Sequence, residues 1–298
     1  MQGTAVDVDD ECLQRWPLPQ PDADGDKETR GRVLVIAGSR EMPGALILAA
    51  NAALNAGAGK LTVATAASVA RLVATALPEA RVIELAETAA GGIDRSAVER
   101  VRELLPHVDA VLIGPGMQDE PAVCDFCAAL LDHLSAPMLV LDAAAMGVVG
   151  PTPSIEKFSS PTILTPHAGE LAHLTAGDKK DIGLHPARSA AEASQRWNAV
   201  VALKGATTFI AAPAGSLWRH TGGNVGLAIS GSGDVLAGII AGLASRGATA
   251  EQAAVWGVAL HARAGERLAE RSGPLGYLAR DLSAEAPALM ASFARVGA

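Results

Sequence analysis

The feature that most constrains this chain is a succession of short apolar runs, each followed by a glycine or a polar residue. The runs lie at 33–37, 61–64, 82–85, 110–113, 138–141, 162–164 and 200–203. Helical patterns separate several of them, as at 44–56, 68–76, 94–105 and 121–134. Short buried strands that alternate with helices form mostly parallel sheets covered by helices on both faces. The pattern therefore predicts an α/β protein with three layers.

The rest of the chain fits a single domain preceded by an arm. Residues 208–212 and 217–220 have the pattern of a β-hairpin around Pro213-Ala214-Gly215. Residues 1–30 are rich in Asp, Pro and Gly and lack periodicity, which predicts an extended or partly disordered arm. No change of composition divides the chain after Arg32, and we expect one domain over residues 31–298.

Charge and hydropathy narrow the class of partner. The net charge of −8 argues against a general nucleic-acid binder. No apolar run reaches membrane-spanning length without glycine or charge, and residues 1–11 lack the apolar stretch of a signal peptide. We expect a cytoplasmic protein that binds neither nucleic acid nor membrane.

The three cysteines fit the same interpretation, because an odd and sparse set does not form a disulfide framework. Cys124 and Cys127 have Cys-x-x-Cys spacing, but no second Cys or His pair accompanies them. Two core thiols are favoured over a zinc or redox site.

A glycine-rich segment carries the clearest chemical signal. Gly231-Ser232-Gly233-Asp234 precedes residues 235–243, which are apolar around the whole circumference of a predicted buried helix. Free N–H groups and the positive end of the helix dipole suit a phosphate, and glycines allow its close approach. Asp234 would repel such a ligand, and we interpret it as the base that accepts a hydroxyl proton. The alternative is a carboxylate that caps the helix and contributes about 1 kcal/mol.

Other glycine or polar residues follow the predicted strands. They are Gly38-Ser39, Gly114-Pro115-Gly116, Asp142, Thr165-Pro166-His167 and Lys204-Gly205. Each could merely end a strand, but ligands of open α/β sheets bind beyond the carboxyl ends of the strands. Together they predict one shared crevice. A P-loop and a Rossmann glycine motif are both absent from the sequence.

In their order along the chain, these motifs resemble the NAD(P)H-hydrate dehydratases of the ribokinase-like superfamily. The resemblance covers residues 27–287. The motifs that carry it are residues 31–39, Gly44-Ala45, Gly57-Ala58-Gly59, residues 113–117, 165–170 and 203–208, Gly223-Asn224, residues 231–238, His261 and residues 276–282. Gly-Ser-Gly-Asp alone would indicate only the superfamily, whereas the ordered set is specific to the dehydratases.

The resemblance implies a ribokinase-like three-layer αβα sandwich and a metabolite-repair reaction. A phosphoryl group of ADP moves to the ring hydroxyl of the S-epimer of hydrated NADH or NADPH, and the phosphate then leaves. Mg²⁺ is expected because phosphoryl transfer needs charge neutralisation, although no ligand cluster is visible in the sequence. A homotetramer is also implied. The alternatives are a true kinase of this superfamily that acts on a vitamin-precursor alcohol and a non-catalytic nucleotide-binding regulator.

The resemblance also implies a role for individual residues, with Asp234 as the catalytic base. Binding of the hydrated dinucleotide is implied for Ala45, Gly116, His167 and Asp234. Binding of ADP or AMP is implied for Lys204, Gly205, Ala206, Thr207, Thr208, Asn224, Gly231, Ser232 and Gly233. The chain departs from the family pattern at Ala144, where an aspartate is usual, at Ile229-Ser230, and in the loop after Ser39, which lacks the usual aromatic residue.

Overall fold

The computed structural model describes residues 4–21, 24, 26–134, 137–151 and 153–294. Over these residues ten strands form a single sheet in the order β1-β10-β9-β8-β7-β6-β5-β2-β3-β4. The strands are β1 (Val6–Asp7), β2 (Arg32–Ile36), β3 (Lys60–Ala66), β4 (Ala80–Leu85), β5 (Ala110–Ile113), β6 (Met138–Leu141), β7 (Thr162–Leu164), β8 (Val200–Leu203), β9 (Thr208–Ala211) and β10 (Leu217–His220). Only β9 is antiparallel to its neighbours, β8 and β10. The mostly parallel sheet is confirmed.

Helices cover both faces of this sheet. They are α1 (Asp10–Arg15), α2 (Pro43–Asn55), α3 (Ala67–Ala76), α4 (Val98–Arg102), α5 (Glu120–Leu131), α6 (Ala168–Thr175), α7 (Lys179–Leu184), α8 (Pro186–Trp197), α9 (Ser232–Ser245), α10 (Ala250–Ser272) and α11 (Ala279–Ala294). Alternate side chains of β2 divide between the two layers: Val33 and Val35 pack with α2, α9 and α10, while Leu34 and Ile36 pack with α5. The three-layer αβα architecture predicted from the sequence is confirmed.

Small residues bring α2 and α9 into close contact. A Cβ at Gly238 would lie 2.2 Å from the backbone oxygen of Ala49, and a Cβ at Gly242 would lie 2.4 Å from that of Ala53. Any larger residue at these two glycines would force the helices apart. The contact fixes the beginning of α9 beside the beginning of α2.

The prediction of an extended or partly disordered arm over residues 1–30 was wrong for much of that segment. β1 pairs with β10, and α1 begins at an Asp9 side chain that accepts a hydrogen bond from the Cys12 amide at 2.8 Å. Leu13 is buried, and the Trp16 ring stacks on Trp218 with 5.8 Å between centroids. These apolar side chains fold the segment onto the core. Residues 1–3, 22, 23 and 25 of the predicted arm lie outside the described residues.

The predicted helix over 94–105 was too long. α4 itself is preceded by a 3₁₀ turn at Arg95–Ala97 and followed by another at Leu105–His107. Pro106, within the second turn, has no amide proton to continue the helix. No helix among the described residues is long and apolar enough to cross a membrane.

The thiols of α5 belong to the core. Cys127 is buried and Cys124 half-buried, and both are free. Burial raises the pKa of the Cys124 thiol to about 11 and that of Cys127 well above its usual range. Two protonated thiols agree with the interpretation of core residues rather than a redox centre.

Candidate active site

The carboxyl ends of β5, β6, β7 and β8 bring polar groups together at one edge of the sheet. The Thr165 hydroxyl, after β7, donates a 2.6 Å hydrogen bond to Oδ1 of Asp142, after β6. Nζ of Lys204, after β8, lies 3.3 Å from the same oxygen. Gly114, after β5, has φ +129°, and a Cβ there would lie 1.8 Å from the Asp142 carbonyl oxygen. The predicted crevice therefore contains a buried carboxylate with two polar partners.

Lys204 is the cation at the centre of this group. Its Nζ also lies 3.7 Å from Oε2 of Glu170, and its side chain is 21% exposed. Burial lowers the pKa of Lys204, but the carboxylates of Asp142, Glu170 and Asp234 outweigh burial and raise it above its ordinary value. The ammonium group stays charged and can attract an anion such as phosphate.

The beginning of α9 lies next to Lys204. Gly231 precedes the helix with φ +91°, a conformation that favours glycine. A Cβ at Gly233 would meet Nζ of Lys204 at 3.5 Å. The Ser232 amide donates to the Ile229 carbonyl oxygen at 3.2 Å, which leaves the amides of Gly233 and Asp234 for a ligand. These two amides and the ammonium group lie beside the same space, as a phosphate site requires.

Asp234 lies in the first turn of α9, directly after Gly233. Burial and the negative charge of Asp142 raise the pKa of Asp234 to about 6, against a smaller opposing effect of Lys204. A carboxylate with this pKa is ionised at neutral pH and is a better proton acceptor than an ordinary aspartate. The arrangement can hold a phosphoryl group and deprotonate a hydroxyl beside it.

Two of the residues predicted to bind the dinucleotide contact each other. Gly116 has φ +65°, and a Cβ there would lie 2.6 Å from the Cβ of Ala45, near the beginning of α2. Further along α2, Leu48 approaches the position of a Cβ at Gly231 to 2.5 Å. The Ala45–Gly116 contact and residues 231–234, the candidate anion-binding turn, thus flank the same helix.

His167 begins α6. Its Nδ1 accepts hydrogen bonds from the amides of Gly169 at 3.0 Å and Glu170 at 3.1 Å. The Glu170 carboxylate accepts the His167 amide in return at 2.7 Å, which completes a capping box. Because Nδ1 is an acceptor, Nε2 carries the proton of the neutral ring. His167 therefore has a structural role, and its side chain, 57% exposed, retains a donor for a ligand.

The remaining residues predicted to bind the nucleotide lie on two segments. Gly205, Ala206 and Thr207 connect β8 to β9, and Thr208 is the first residue of β9. Asn224 lies between β10 and α9, where its Oδ1 accepts the amide of Gly226 and the hydroxyl of Tyr277, each at 2.9 Å. The Asn224 side chain therefore orders the segment that leads to the anion-binding turn.

Four residues of the site were given no role from the sequence: Asp142, Thr165, Glu170 and His261. Asp142 directly follows a predicted strand. Thr165 follows a predicted strand, and Glu170 follows His167 at the spacing of a capping box. A local sequence pattern therefore points to each of these two residues. His261 contacts Ser232 across 29 positions, and no local pattern points to that contact.

No preformed metal site exists among the residues that the structure describes, since no group of three or more His, Cys, Asp or Glu side chains converges. The carboxylates of Asp142 and Glu170 nevertheless share the Lys204 ammonium group. Two hard oxygen donors beside a phosphate site suit a cation that arrives with the nucleotide.

Comparison with known proteins agrees with this geometry. A family model described as NAD(P)H-hydrate dehydratase matches residues 33–288. An ADP-dependent (S)-NAD(P)H-hydrate dehydratase of Xanthomonas campestris is 46% identical over 94% of both chains. A bifunctional NAD(P)H-hydrate repair enzyme, Nnr, of Moorella thermoacetica is 40% identical over 90% of this chain, which matches 51% of that protein's length.

A solved structure extends the comparison to the fold. The ADP/ATP-dependent NAD(P)H-hydrate dehydratase of Bacillus subtilis, co-crystallised with ATP/Mg²⁺, superimposes with a TM-score of 0.84 and 30% identity, over 97% of this chain and 99% of that one. The matched segment of the sequence contains the whole anion-binding turn and the strand ends around Lys204. The chain belongs to the NAD(P)H-hydrate dehydratase family.

Proposed function

We propose that the protein dehydrates the S-epimer of hydrated NADH or NADPH and converts ADP to AMP and phosphate. The observation that supports this most is the position of Asp234, whose raised pKa accompanies a phosphate site formed by the first turn of α9 and Lys204. A carboxylate at this position would repel a bound phosphate, and the Asp234 side chain makes no capping hydrogen bond in α9, so catalysis explains its presence better than helix capping. The similarity to the ADP-dependent (S)-NAD(P)H-hydrate dehydratase of Xanthomonas campestris also supports the proposal.

The reaction begins with proton transfer. Asp234 accepts the proton of the ring hydroxyl, and the hydroxyl oxygen forms a bond to the terminal phosphorus of ADP while the bond from that phosphorus to the oxygen of AMP breaks. The new phosphate ester replaces hydroxide, a poor leaving group, with phosphate. The ring nitrogen then expels inorganic phosphate, and loss of a proton from the neighbouring ring carbon restores the reduced nicotinamide.

The side chains around Asp234 position the two reactants. Lys204 and the amides of Gly233 and Asp234 would hold the phosphoryl oxygens that gain charge. The turn from Gly205 to Thr208 would hold the rest of the adenine nucleotide. Ala45, Gly116 and His167 would line the dinucleotide, where Gly116 lacks a side chain and lets the ligand approach the backbone.

A magnesium ion completes the proposal. Mg²⁺ is commonly bound by one or two carboxylates, with phosphates and water as its other ligands. Asp142 and Glu170, the carboxylates next to Lys204, would hold it in this chain. The ion would neutralise phosphate charge during transfer. We also propose a cytoplasmic location, which the three free cysteines support, and the homotetramer that the resemblance implies.

The proposal is tested by incubating the protein with hydrated NADH and either ADP or ATP while the absorbance of reduced nicotinamide is followed. We expect NADH to return with one AMP formed per turnover from ADP, and only the S-epimer to be consumed directly. Use of ATP alone with an accumulating phosphorylated product would favour the kinase alternative. Nucleotide binding without turnover of either epimer would favour the non-catalytic regulator.

A further inference from the structure

We propose that His261 is a positioning residue that aims the Ser232 hydroxyl at a phosphoryl oxygen of the bound adenine nucleotide. The inference rests on the proposed function, because it takes the turn before α9 as the nucleotide phosphate site. It assigns a role to a buried histidine that the proposed chemistry does not otherwise use.

His261 makes two hydrogen-bond contacts with Ser232. His261 lies on α10, and its Nε2 is 3.0 Å from the backbone oxygen of Ser232 and 3.0 Å from the Ser232 hydroxyl oxygen. Both residues are buried. Ser232 is the first residue of α9, between Gly231 and Gly233. One imidazole nitrogen therefore contacts the backbone and the side chain of the anion-binding turn.

The carbonyl group decides where the imidazole proton lies. A carbonyl oxygen can only accept a hydrogen bond, so Nε2 of His261 must carry the proton that it donates to Ser232. Burial lowers the pKa of His261 to about 4, and the nearby Lys204 charge acts in the same direction. At neutral pH the ring is therefore uncharged, with the proton on Nε2.

This proton assignment determines what the Ser232 hydroxyl can do. Its oxygen faces an N–H donor and acts as an acceptor there, so its own proton is left for another partner. Among the described residues the Ser232 hydroxyl has no hydrogen-bond partner except His261. The proton is therefore available to a ligand at the beginning of α9.

The ligand that this donor suits is anionic. The first-turn amides of α9 and Nζ of Lys204, 3.5 Å from the position of a Cβ at Gly233, already favour a phosphate at this place. A hydroxyl that donates to a charged phosphate oxygen, and itself accepts from His261, forms a polarised chain of hydrogen bonds. A hydrogen bond to a charged group corresponds to about a 10- to 100-fold change in affinity.

The test measures ADP affinity by calorimetry in a double-mutant cycle. We expect Ser232→Ala and His261→Phe each to weaken ADP binding by about 10- to 100-fold. The double variant should bind no more weakly than Ser232→Ala alone, because the histidine acts through the hydroxyl. His261→Gln, whose amide nitrogen reaches the position of Nε2, should recover most of the affinity lost in His261→Phe. If His261→Phe does not fold, His261→Asn, whose amide is too short to reach Ser232, takes its place in the cycle.

Thr249→Ala is the control for lost stability. Thr249 caps the beginning of α10, about 18 Å along the helix from His261. Loss of the Thr249 hydroxyl should lower the melting temperature and leave ADP affinity unchanged.

Three results would overturn the inference: unchanged ADP affinity in Ser232→Ala, a full additional loss in the double variant, or no recovery in His261→Gln. Failure of the proposed function would be visible separately, because the wild-type protein would then not regenerate NADH from its hydrate with ADP.

Discussion

Nζ of Lys204 lies 3.3 Å from Oδ1 of Asp142, although the two residues are 62 positions apart in the sequence. The pair joins the ends of β6 and β8 and places a charged ammonium group beside the first turn of α9. Because Asp142 is only 3% exposed, its carboxylate depends on this partner and on the Thr165 hydroxyl. The same cation thus pairs with the buried Asp142 carboxylate and lies beside the proposed anion site.

Lys204→Met separates these two roles. The variant leaves Asp142 as a buried charge without its cation, and we expect the free energy of unfolding to fall by about 3 kcal/mol. Adding Asp142→Asn should restore most of that stability, since the unpaired charge is gone, without restoring ADP binding. Urea unfolding and calorimetry measure the two effects. Recovery of both stability and ADP affinity in the double variant would contradict a direct role of Lys204 at the phosphate.

Asp234→Asn removes the proposed base with little change in size. We expect a folded protein that binds ADP as tightly as the wild type or more tightly, since a repulsive charge is lost. Turnover should fall by at least about 100-fold, as is typical when a general base is removed. In the wild type, kcat/KM should decline as pH falls through about 6, the pKa of Asp234, because only the ionised carboxylate accepts a proton. A folded variant with near-normal turnover would leave Asp234 as a first-turn carboxylate without a catalytic role.

The raised pKa of Asp234 also predicts how the free energy of unfolding depends on pH, and Asp234→Asn tests that dependence. The pKa of Asp234 is raised by burial from 3.8 to about 6, so the ionised form is disfavoured in the folded protein. The folded state is therefore penalised above about pH 6, and the penalty disappears below about pH 4. Asp234→Asn should exceed the wild type in free energy of unfolding by about 1–3 kcal/mol at pH 8. The difference should vanish near pH 4. An equal difference at both pH values would exclude titration of Asp234 as its cause.

The sequence predicts the layers of this fold better than its long-range contacts. Strand–helix alternation reveals the parallel sheet because the period of buried residues is a local property. The turn at Gly231 to Asp234 was likewise predictable, since one segment contains both the glycines and the carboxylate. The stacking of Trp16 on Trp218 joins residues far apart in the chain. Composition alone therefore predicted an extended or partly disordered arm where part of the segment folds onto the core. For the same reason, the sequence predicted that Asp142 and Lys204 lie at the same edge of the sheet, but not that their side chains are in contact.

Two glycines of the anion-binding turn should respond differently to alanine. Gly233 has an unstrained backbone, and a Cβ there would meet only Nζ of Lys204 at 3.5 Å. Gly233→Ala should keep or raise the melting temperature and weaken ADP binding at least about tenfold, because the methyl group occupies the phosphate space. Gly231 has φ +91°, and its Cβ would lie 2.5 Å from Leu48, so Gly231→Ala should lower the free energy of unfolding by about 2 kcal/mol. Unchanged ADP affinity in Gly233→Ala would move the phosphate site elsewhere.

Removal of Mg²⁺ should stop turnover without unfolding the protein. The described residues hold no preformed three-ligand site, so in the absence of ADP the melting temperature should be the same with and without a chelator. Glu170→Gln retains the capping box of α6 but loses one carboxylate next to Lys204. The variant should need a higher Mg²⁺ concentration for half-maximal turnover. Full turnover in metal-free buffer would contradict the assignment.

His167 combines a structural contact with a proposed contact to the dinucleotide, and asparagine separates the two. Nδ1 of His167 caps α6 through the amides of Gly169 and Glu170. Asparagine is a favoured cap but is too short to present a donor at the position of Nε2. His167→Asn should therefore keep the wild-type melting temperature, whereas His167→Ala should lose about 1 kcal/mol.

The kinetic result decides whether Nε2 of His167 contacts substrate. A lost neutral hydrogen bond should raise KM for hydrated NADH several-fold in His167→Asn, with KM for ADP unchanged. His173→Asn is the matched control: His173 lies on the same helix, is 62% exposed and pairs with Glu120. It should leave both KM values at the wild-type level. If His167→Asn also leaves both KM values unchanged, the imidazole only caps α6. The backbone around Gly116 and Ala45 would then be the remaining proposed contact with the dinucleotide. A Gly116→Ala substitution would test it, because the added methyl group would collide with the Ala45 side chain.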